Sequence, residues 1–503
     1  MTKIALLSVS DKSGIVDLAK FLIEQGDWQI ISSGGTAQLL QEHHIPVVKV
    51  ADYTGSPEIL GGRVKTLHPK IHGGILARRD MTSDAEDLLA QNIPLIALVV
   101  VNLYPFQQTI SRPDVSLEEA IEQIDIGGPT LLRAGAKNFK FVTVLCDPSQ
   151  YPQFIALNGK TDLTYRRELA VSAFRHVQAY DQAIADYLAG TPSYTLQGIN
   201  PKPLRYGENP HQSATWYQVG QTPSGWSTAQ QLQGKELSYN NLLDLESARS
   251  LIAEFKDDLP CAVIVKHNNP CGVAIAPTLD EAYEKAFNSD STSAFGGIVA
   301  LNRPILETTA HALTATFLEC VVAPACSPNA REILSKKANL RVLVLPDLNC
   351  GSPETVRLIA GGLLVQASDH APVDTSTWQV VSQCQPDDLT IKELLFAWKV
   401  CRHVKSNAIV ISKNLCTVGI GAGQTNRVGS AQIALNQAGA LAQGAVLASD
   451  GFLPFSDTVE LAAEAGISAI IQPGGSLRDQ ESIDCADRHR IAMIFTGQRH
   501  FLH

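Results

Sequence analysis

The stretch AVIVKHNNPCGVAI, residues 262–275, decides how we interpret the fold of this chain. Four apolar residues typical of a buried β-strand lead into Lys266, His267, Asn268 and Asn269. The Pro-Cys-Gly triplet that follows predicts a turn before a second apolar run. A cation and a titratable imidazole thus come directly after a predicted strand, where open α/β sheets place functional side chains. The stretch predicts a functional site, although its residues also fit an ordinary surface turn.

Length and composition limit the class of protein. A chain of 503 residues is too long for one ordinary hydrophobic core, so we expect two or more domains. With 45% hydrophobic and 18% charged residues, the chain is typical of folded proteins and not of disordered ones. The net charge of −10 argues against general binding of nucleic acids or acidic membranes. We therefore expect small-molecule ligands, with no nucleic acid and no membrane among the partners.

The cysteines and the apolar segments predict a cytoplasmic protein. The ten cysteines form no C-x-x-C pair, which fits buried thiols in a reducing compartment better than a disulfide framework or a zinc module. The apolar run near the N-terminus is too short for a signal peptide. No apolar stretch is long enough to span a bilayer.

Two strand–turn–helix units open the chain. Predicted strands at residues 3–9 and 28–31 are each followed by a polar turn and by apolar residues at helical spacing. Free N–H groups at a helix N-terminus suit a phosphate, and neither turn fits a P-loop or a dinucleotide motif. These turns predict a mononucleotide-sized phosphate site, or else simple helix caps. The turn residues are Ser10, Lys12, Ser13, Ser33, Gly34, Gly35 and Thr36.

Further along, GGRVKTLHP at residues 61–69 carries two cations. If this segment is extended, Arg63 and Lys65 point the same way and suit an anionic ligand; the alternative is a solvated charged loop. Residues 95–101 are typical of a strand buried on both faces, and 141–146 of another strand. Alternating strands and helices predict a parallel sheet with helices on both faces.

The C-terminal part contains a weak internal repeat. Residues 408–420 repeat the order strand, Lys, Asn, Cys, strand of the opening stretch, but without a histidine. The repeat predicts two related subdomains of which one is catalytic. Zinc-dependent deamination is disfavoured, because the chain lacks H-x-E paired with P-C-x-x-C.

Two sets of motifs resemble one known enzyme family. SVSDK, SSGGT, GGRVKTLHP, VNLYPF and QIDIGGPTLLRAGAKN are similar to the inosine monophosphate (IMP) cyclohydrolase domain of the bifunctional purine biosynthesis enzymes, which has a methylglyoxal-synthase-like (MGS-like) fold. LRYGENPHQ, KELSYNN, VKHNNPCG, SAFGG, SNAIV, GIGAGQTNR and RHFLH are similar to the aminoimidazole carboxamide ribonucleotide (AICAR) formyltransferase of the same enzymes. The resemblance covers nearly the whole chain in family order.

The resemblance implies an α/β protein of two domains. Residues 1–192 would form the cyclohydrolase domain, and residues 193–503 a transformylase domain. The latter would consist of two cytidine-deaminase-like subdomains with a break near 370–390. The implied reactions are formyl transfer from 10-formyltetrahydrofolate to AICAR, giving formyl-AICAR (FAICAR), and cyclodehydration of FAICAR to IMP. The ligands would be AICAR, FAICAR, IMP and folate. A homodimer, no catalytic metal and at most a structural K⁺ are also implied.

The resemblance assigns residues to the formyl-transfer site. The aromatic amine of AICAR is a weak nucleophile, so the reaction needs a base, an oxyanion donor and a proton for the leaving folate nitrogen. His267 would be the base and Lys266 the oxyanion stabiliser or proton donor, with Asn407 orienting the reacting groups. The substrate-binding residues would be Arg205, Tyr206, Glu319, Phe452 and Arg499.

The same resemblance assigns the ring-closure site. Lys65 and Tyr104 would stabilise the formyl oxygen, Asp125 would hold the carboxamide and Lys137 would aid the loss of water. The 5′-phosphate would lie on the turn residues given above. The other substrate-binding residues would be Arg63, Thr66, Asn102, Gly127 and Gly128.

The chain also departs from the family pattern. Relatives commonly carry an acidic residue and a proline before the S-x-F-G motif, where residues 288–293 read NSDSTS. Leu453 replaces the second of two phenylalanines, and Glu319 stands where relatives often have aspartate. Two alternatives to the bifunctional enzyme stay open at this point: the loss of one activity, and a nucleotide-binding regulatory module without turnover.

Overall fold

The computed structural model describes residues 2–191, 193–220 and 222–503. The chain forms two compact units, Met1–Thr195 and Leu196–His503. The domain boundary predicted at Pro192 lies outside the described residues. Within the described ranges, no helix is both long and apolar enough to cross a bilayer.

The first unit is built on a five-stranded sheet in which all neighbouring strands are parallel, in the order β3-β2-β1-β4-β5. This confirms the predicted parallel sheet. The strands are β1 (Lys3–Ser8), β2 (Trp28–Ser32), β3 (Val48–Lys49), β4 (Ile96–Val101) and β5 (Thr143–Leu145). The helices are α1 (Ile15–Glu24), α2 (Gly34–Glu42), α3 (Val50–Thr54), α4 (Pro69–Leu76), α5 (Thr82–Ala90), α6 (Phe106–Ile110), α7 (Leu117–Glu122), α8 (Gly127–Lys137), α9 (Tyr151–Ala156) and α10 (Leu163–Ala189).

Apolar spacing explains these elements. In α1 the buried residues Ile15, Leu18, Ala19 and Leu22 recur at helical spacing and pack into the core of the first unit. In β4 nearly every side chain is buried, as expected for a central strand of a parallel sheet. The polar residues that follow β1, β2 and β4 therefore meet at one edge of the sheet.

The second unit contains two six-stranded mixed sheets and two separate strand pairs. Its strands are β6 (Gly198–Pro203), β7 (Thr215–Val219), β8 (Gln230–Gln233), β9 (Cys261–Lys266), β10 (Asn269–Ile275), β11 (Ile298–Leu301), β12 (Cys320–Ala323), β13 (Arg341–Val344), β14 (Glu354–Ile359), β15 (Gly362–Ala367), β16 (Gln379–Val380), β17 (Ile409–Ser412), β18 (Thr417–Gly421), β19 (Val446–Ser449), β20 (Ala469–Gln472) and β21 (Ala492–Phe495). Its helices are α11 (Tyr239–Ala253), α12 (Leu279–Ser289), α13 (Ser291–Ala294), α14 (Glu307–Thr314), α15 (Pro328–Ser335), α16 (Asp388–Cys401), α17 (Arg427–Ala438), α18 (Asp457–Glu464) and α19 (Asp479–Arg488).

The two large sheets are copies of one topology. One has the order β10-β9-β11-β12-β13-β8 and the other β18-β17-β19-β20-β21-β16. Equivalent strand pairs have the same direction, with a parallel centre and antiparallel edges. The repeat predicted from the sequence is confirmed. The edge hairpins contact each other, and Val273 N donates to Thr417 Oγ1 at 3.0 Å.

The turn in the opening stretch lies elsewhere than predicted. Pro270 and Gly272 belong to β10, which pairs antiparallel with β9 and has a register shift between them. The turn is formed by His267 and Asn268, which both have positive φ angles, 53° and 60°. A proline next to a bulge is tolerated in an edge strand, so the turn-like triplet continues the strand.

Candidate active sites

A cavity of about 570 Å³ opens in the first unit where β1, β2 and β4 end. Most residues that we predicted for ring closure and phosphate binding line it. They are Ser10, Lys12, Ser33, Gly34, Gly35, Thr36, Arg63, Lys65, Thr66, Asn102, Tyr104, Asp125, Gly127 and Gly128. Ser8, Val9, Gly61, Gly62, Ile121, Glu122, Ile124 and Ile126 also line the cavity and were not predicted as site residues.

Lys12 joins the two turns that were predicted to bind phosphate. Its ammonium group donates to Thr36 Oγ1 at 2.8 Å and to the carbonyl of Val9. Burial lowers the pKa of Lys12, and the nearby charge of Asp11 opposes this shift. A half-buried cation between two helix N-termini favours an anion in this part of the cavity.

Asn102 holds the first of these turns in place. Its Oδ1 atom accepts from the N–H groups of Ser10 and Asp11 at 2.5 and 2.9 Å, and its Nδ2 atom donates to Asp11 O at 2.9 Å. Asn102 follows β4 directly and is buried. The end of one strand thus fixes the loop after its neighbour.

Asp125 is held at the start of α8. Its Oδ1 atom accepts from Gly128 N at 2.7 Å, and its own N–H donates to Tyr180 Oη at 2.8 Å. Burial raises the pKa of Asp125, whereas hydrogen bonds from the N–H groups of Gly128, Tyr104 and Gly127 lower it. A Cβ atom on Gly128 would lie 2.5 Å from Asp125 Oδ2, so only glycine leaves room for this carboxylate.

The segment that carries Arg63 and Lys65 does not have the extended conformation that the sequence allowed. Residues Leu60–Gly62 form a short 3₁₀ turn, and an isolated bridge joins Ile59 to Val64. Each cation faces a carboxylate: Arg63 pairs with Glu122, and Lys65 Nζ lies 3.4 Å from Glu58 Oε2. Nothing in the sequence pattern links Arg63 with Glu122, which lies on a separate helix.

Two predicted residues lie outside the cavity lining. Ser13 lies in the turn after β1, where its N–H donates to Asp11 Oδ1 at 2.9 Å. Lys137 is the exposed last residue of α8, about 15 Å along the helix from Gly127. The role predicted for Lys137 in the loss of water stays a prediction that this cavity does not explain.

In the second unit, Lys266 and His267 lie at the tip of the β9–β10 hairpin. Lys266 Nζ donates to Phe295 O at 2.8 Å, which brings the SAFGG motif to the hairpin. His267 is exposed, and the next residue, Asn268, donates its N–H to Asp244 Oδ1 at 2.7 Å. Asp244 was not predicted as a site residue.

Asn407 lies next to this hairpin. Asn269 Nδ2 donates to His267 O at 3.3 Å, and Asn269 Oδ1 accepts from Lys405 N at 3.0 Å. Two residues further on, Asn407 Nδ2 donates to Gln424 O at 2.8 Å, in the GIGAGQTNR motif. The structure therefore brings three predicted motifs together.

Helix α11 connects the hairpin with the nucleotide-binding residues that were predicted upstream. Its first residue, Tyr239, donates its N–H to Tyr206 O at 3.2 Å, and Asp244 follows about 7.5 Å further along the helix. The Arg205 guanidinium stacks on the Tyr206 ring at 5.2 Å.

Glu319 has a buried partner in the second unit. Its Oε2 atom accepts from Arg341 Nη1 at 2.7 Å, and Arg341 Nε donates to Glu236 O at 3.1 Å. Glu319 is thus tied to the KELSYNN motif, which also begins α11.

Phe452 and Arg499 lie around the chain terminus. The ring of Phe452 is 37% exposed, whereas Leu453 is fully buried and belongs to a hydrophobic core. The departure at Leu453 therefore changes the core and not an exposed surface. Arg499 stacks on Phe501 at 4.4 Å.

A buried aspartate ties this region to the segment of Asn407. Asp450 accepts from the hydroxyl of Ser406 and from Arg427, and Ser406 Oγ accepts from Leu502 N at 3.2 Å.

Among the described residues, no group of three or more His, Cys, Asp or Glu side chains could hold a metal ion.

Comparisons with known proteins identify the family of this chain. Residues 135–437 match the family described as "AICARFT/IMPCHase bienzyme", and residues 14–130 match the "MGS-like domain". Two curated relatives named "Bifunctional purine biosynthesis protein PurH", from Nostoc sp. and Synechocystis sp., are 62% and 61% identical, and the matches cover 100% of this chain and of each relative. A solved chain titled "Crystal structure of ForH" is 37% identical with a TM-score of 0.35, over 38% of this chain and 100% of its own length. The chain therefore belongs to the AICARFT/IMPCHase bienzyme family, and it is a bifunctional enzyme of purine biosynthesis with an MGS-like N-terminal domain.

Proposed function

We propose that this chain catalyses the last two steps of IMP synthesis. The second unit would transfer the formyl group of 10-formyltetrahydrofolate to AICAR, and the first unit would close the ring of FAICAR to give IMP. The observation that carries the proposal is the convergence of most of the predicted ring-closure residues on one cavity in a member of this family. The hairpin with its exposed imidazole is the corresponding candidate in the second unit.

In formyl transfer, His267 is the proposed base. It accepts the proton that the aromatic amine loses when it attacks the formyl carbon. The neighbouring ammonium of Lys266 stabilises the oxyanion or delivers a proton to the folate nitrogen. The amide of Asn407, fixed by Gln424, orients the amine and the formyl group.

Five further residues would bind the substrates of formyl transfer. Arg205 and Tyr206 form one stacked cation and ring, and Arg499 stacks in a similar way on Phe501. Phe452 would supply a further aromatic ring. Glu319 keeps an acceptor oxygen near α11 through its pairing with Arg341.

In ring closure, the carboxamide nitrogen attacks the formyl carbon and water departs. Both reacting groups belong to one molecule, so positioning supplies much of the rate. Lys65 and Tyr104 stabilise the formyl oxygen, and Asp125 accepts hydrogen bonds from the carboxamide. The cation of Lys12, between the two turns, supports binding of the 5′-phosphate.

Neither step of this proposal uses a metal. Both need only proton transfer and stabilisation of an oxyanion, which side chains supply. A structural K⁺, which the family resemblance allows, would change stability and leave the chemistry to the side chains. Thermal unfolding in potassium chloride compared with choline chloride tests for such an ion.

We further propose that the enzyme is a homodimer in the cytoplasm. All ten cysteines are free, which suits a reducing compartment. The dimer rests on the family assignment. Light scattering on an active sample tests it, and a monomer alone would refute it.

The proposed function is tested by mixing purified protein with AICAR and 10-formyltetrahydrofolate. Absorbance follows the release of tetrahydrofolate, and chromatography identifies the nucleotide product. We expect IMP. Accumulation of FAICAR would mean that ring closure by the first unit is impaired. No folate turnover would refute formyl transfer by the second unit.

A variant tests the assignment of each reaction to its own unit. His267→Ala should nearly abolish formyl transfer and leave the closure of added FAICAR unchanged. Equal loss of both activities would refute the assignment of each reaction to its own unit.

A further inference from the structure

The two hairpin turns of the second unit are held by the same device. In the β9–β10 hairpin, His267 and Asn268 have φ angles of 53° and 60°; in the β17–β18 hairpin, Asn414 and Leu415 have φ angles of 56° and 54°. Positive φ angles are costly for residues other than glycine. Each turn therefore needs contacts that compensate for its conformation.

A helix carboxylate provides these contacts in both copies. Asp244 is the sixth residue of α11, and its Oδ1 atom accepts from Asn268 N at 2.7 Å. Glu393 is the sixth residue of α16, and its Oε2 atom accepts from Leu415 N at 2.8 Å. The equivalent place in the helix and the equivalent place in the turn make this a repeated structural feature.

The two carboxylates are similar in their burial and in their hydrogen bonds to the turn. Burial raises the pKa of Asp244, opposed by hydrogen bonds from the N–H groups of Asn268 and His267 and by the charge of His267. Burial also raises the pKa of Glu393, opposed by hydrogen bonds that include those from Leu415 and Asn414. The difference is that the charge of His267 acts on Asp244, whereas the turn held by Glu393 consists of Asn414 and Leu415 and contains no histidine.

We propose that Asp244 is a positioning residue for formyl transfer: it fixes the His267–Asn268 turn that presents the imidazole, and it places a negative charge beside that ring. Glu393 has only the first of these roles. The inference rests on the proposed function of the second unit, in which His267 is the base. It adds a residue that touches neither reacting group in our assignment.

The repeat supplies a matched control for the experiment. Asp244→Ala and Glu393→Ala each remove one helix carboxylate from one turn. For Asp244→Ala we expect kcat of formyl transfer to fall by about tenfold to a hundredfold, because a small misplacement of a catalytic group has effects of this size. The KM values for AICAR and folate should change little, and ring closure by the first unit should be unchanged. Glu393→Ala should keep kcat within about twofold, as expected for a change remote from the reacting groups.

A spectroscopic measurement separates positioning from general destabilisation. In protein labelled with ¹⁵N-histidine, the ring signals of His267 are identified by their loss in His267→Ala. These signals should shift in Asp244→Ala and in Asp244→Asn, and they should stay in place in Glu393→Ala. Asp244→Asn keeps an acceptor oxygen and loses the charge, so it also serves if Asp244→Ala does not fold.

The outcomes are distinct. No folate turnover by the unchanged enzyme would refute the proposed function. An active enzyme in which both Asp244 variants keep the unchanged kcat and the unchanged His267 signals would refute this inference alone. Equal losses of kcat in Asp244→Ala and Glu393→Ala would also overturn it, because the carboxylate would then be a structural device in both copies.

Discussion

Gly272 lies so close to Ala286 that a Cβ atom on the glycine would be 1.8 Å from the Ala286 carbonyl oxygen. The second copy repeats this contact, since a Cβ atom on Gly419 would be 2.0 Å from Ala434 O. In each copy the glycine belongs to the second strand of the hairpin, and the alanine to the helix that packs on it. The hairpin and its helix therefore approach at backbone distance in both halves of the repeat.

Gly272→Ala and Gly419→Ala should both destabilise the second unit. A methyl group at either position meets backbone atoms that cannot move aside. We therefore expect the free energy of unfolding to fall by about 3 kcal/mol or more. Thermal unfolding measures the effect. Gly362→Ala is the control, because a Cβ atom there meets nothing within 4 Å. Equal melting temperatures for Gly272→Ala and Gly362→Ala would contradict the close packing.

Replacing Lys65 should impair ring closure without affecting formyl transfer. Its ammonium lines the cavity and is the proposed stabiliser of the formyl oxygen. Loss of one such donor lowers kcat by a factor of about 10²–10³. We expect a fall of this size for Lys65→Met with FAICAR as the substrate. Lys70→Met, in the nearby helix α4 and outside the cavity lining, is the control. Full ring-closure activity in Lys65→Met would remove this residue from the site.

The sequence pattern predicted one part of the first site, because those residues follow directly on buried strands, whereas Lys65, Asp125 and Gly128 were assigned from the family resemblance. The turns after β1 and β2 and the residue after β4 meet wherever parallel strands end at one edge, so strand prediction is enough to place them together. Glu122 could not be found this way. It lines the cavity from a separate helix and pairs with Arg63, and no spacing in the sequence predicts that contact.

The turn of the opening stretch was mispredicted for a physical reason. Pro and Gly in residues 270–272 are common turn formers, but here the antiparallel pairing of β10 with β9 retains them in a strand. The real turn has positive φ angles at His267 and Asn268, and its Asn268 N–H donates a hydrogen bond to Asp244, 24 residues earlier in the chain. Local propensity does not contain such a tertiary contact. The internal repeat was the available signal, since Glu393 lies 22 residues before its partner Leu415 in the second hairpin and holds the same sixth position in its helix.

Ring closure should depend on the ionisation of Asp125. Burial raises the pKa of this carboxyl, so its proton is lost at a higher pH than in an ordinary aspartate, whose pKa is about 4. If the carboxylate holds the carboxamide, kcat/KM for FAICAR should rise with pH above that ordinary range. Asp125→Asn should lower the rate and remove this pH dependence.

The control for this measurement is the exposed Asp114, which lies outside the cavity lining. Asp114→Asn should keep both the rate and the rise with pH. A rise that persists unchanged in Asp125→Asn would show that another group titrates.

Stability below neutral pH should depend on the buried guanidinium of Arg402. Its side chain is 2% exposed, and it pairs with Asp369 at 2.7 Å and with Glu254 at 3.2 Å. The ring of His500, close to the C-terminus, lies 2.6 Å from Asp369 Oδ2. Partial burial raises the pKa of Asp369, but hydrogen bonds from His500 and Arg402 outweigh it and hold the pKa well below its usual range.

A carboxyl whose pKa is lower in the folded state stabilises the protein above its unfolded pKa of about 4 and loses this contribution as the pH falls towards its folded value. Asp369→Asn should therefore lower stability at pH 7 by about 1 kcal/mol, a value reduced for the half-exposed carboxylate. The difference between the variant and the unchanged enzyme should shrink below pH 4. Thermal unfolding from pH 7 to pH 3 measures it, with the exposed Asp257→Asn as control. A difference that stays constant over this range would mean that Asp369 contributes through packing, because only the charged pairing with Arg402 is lost on protonation.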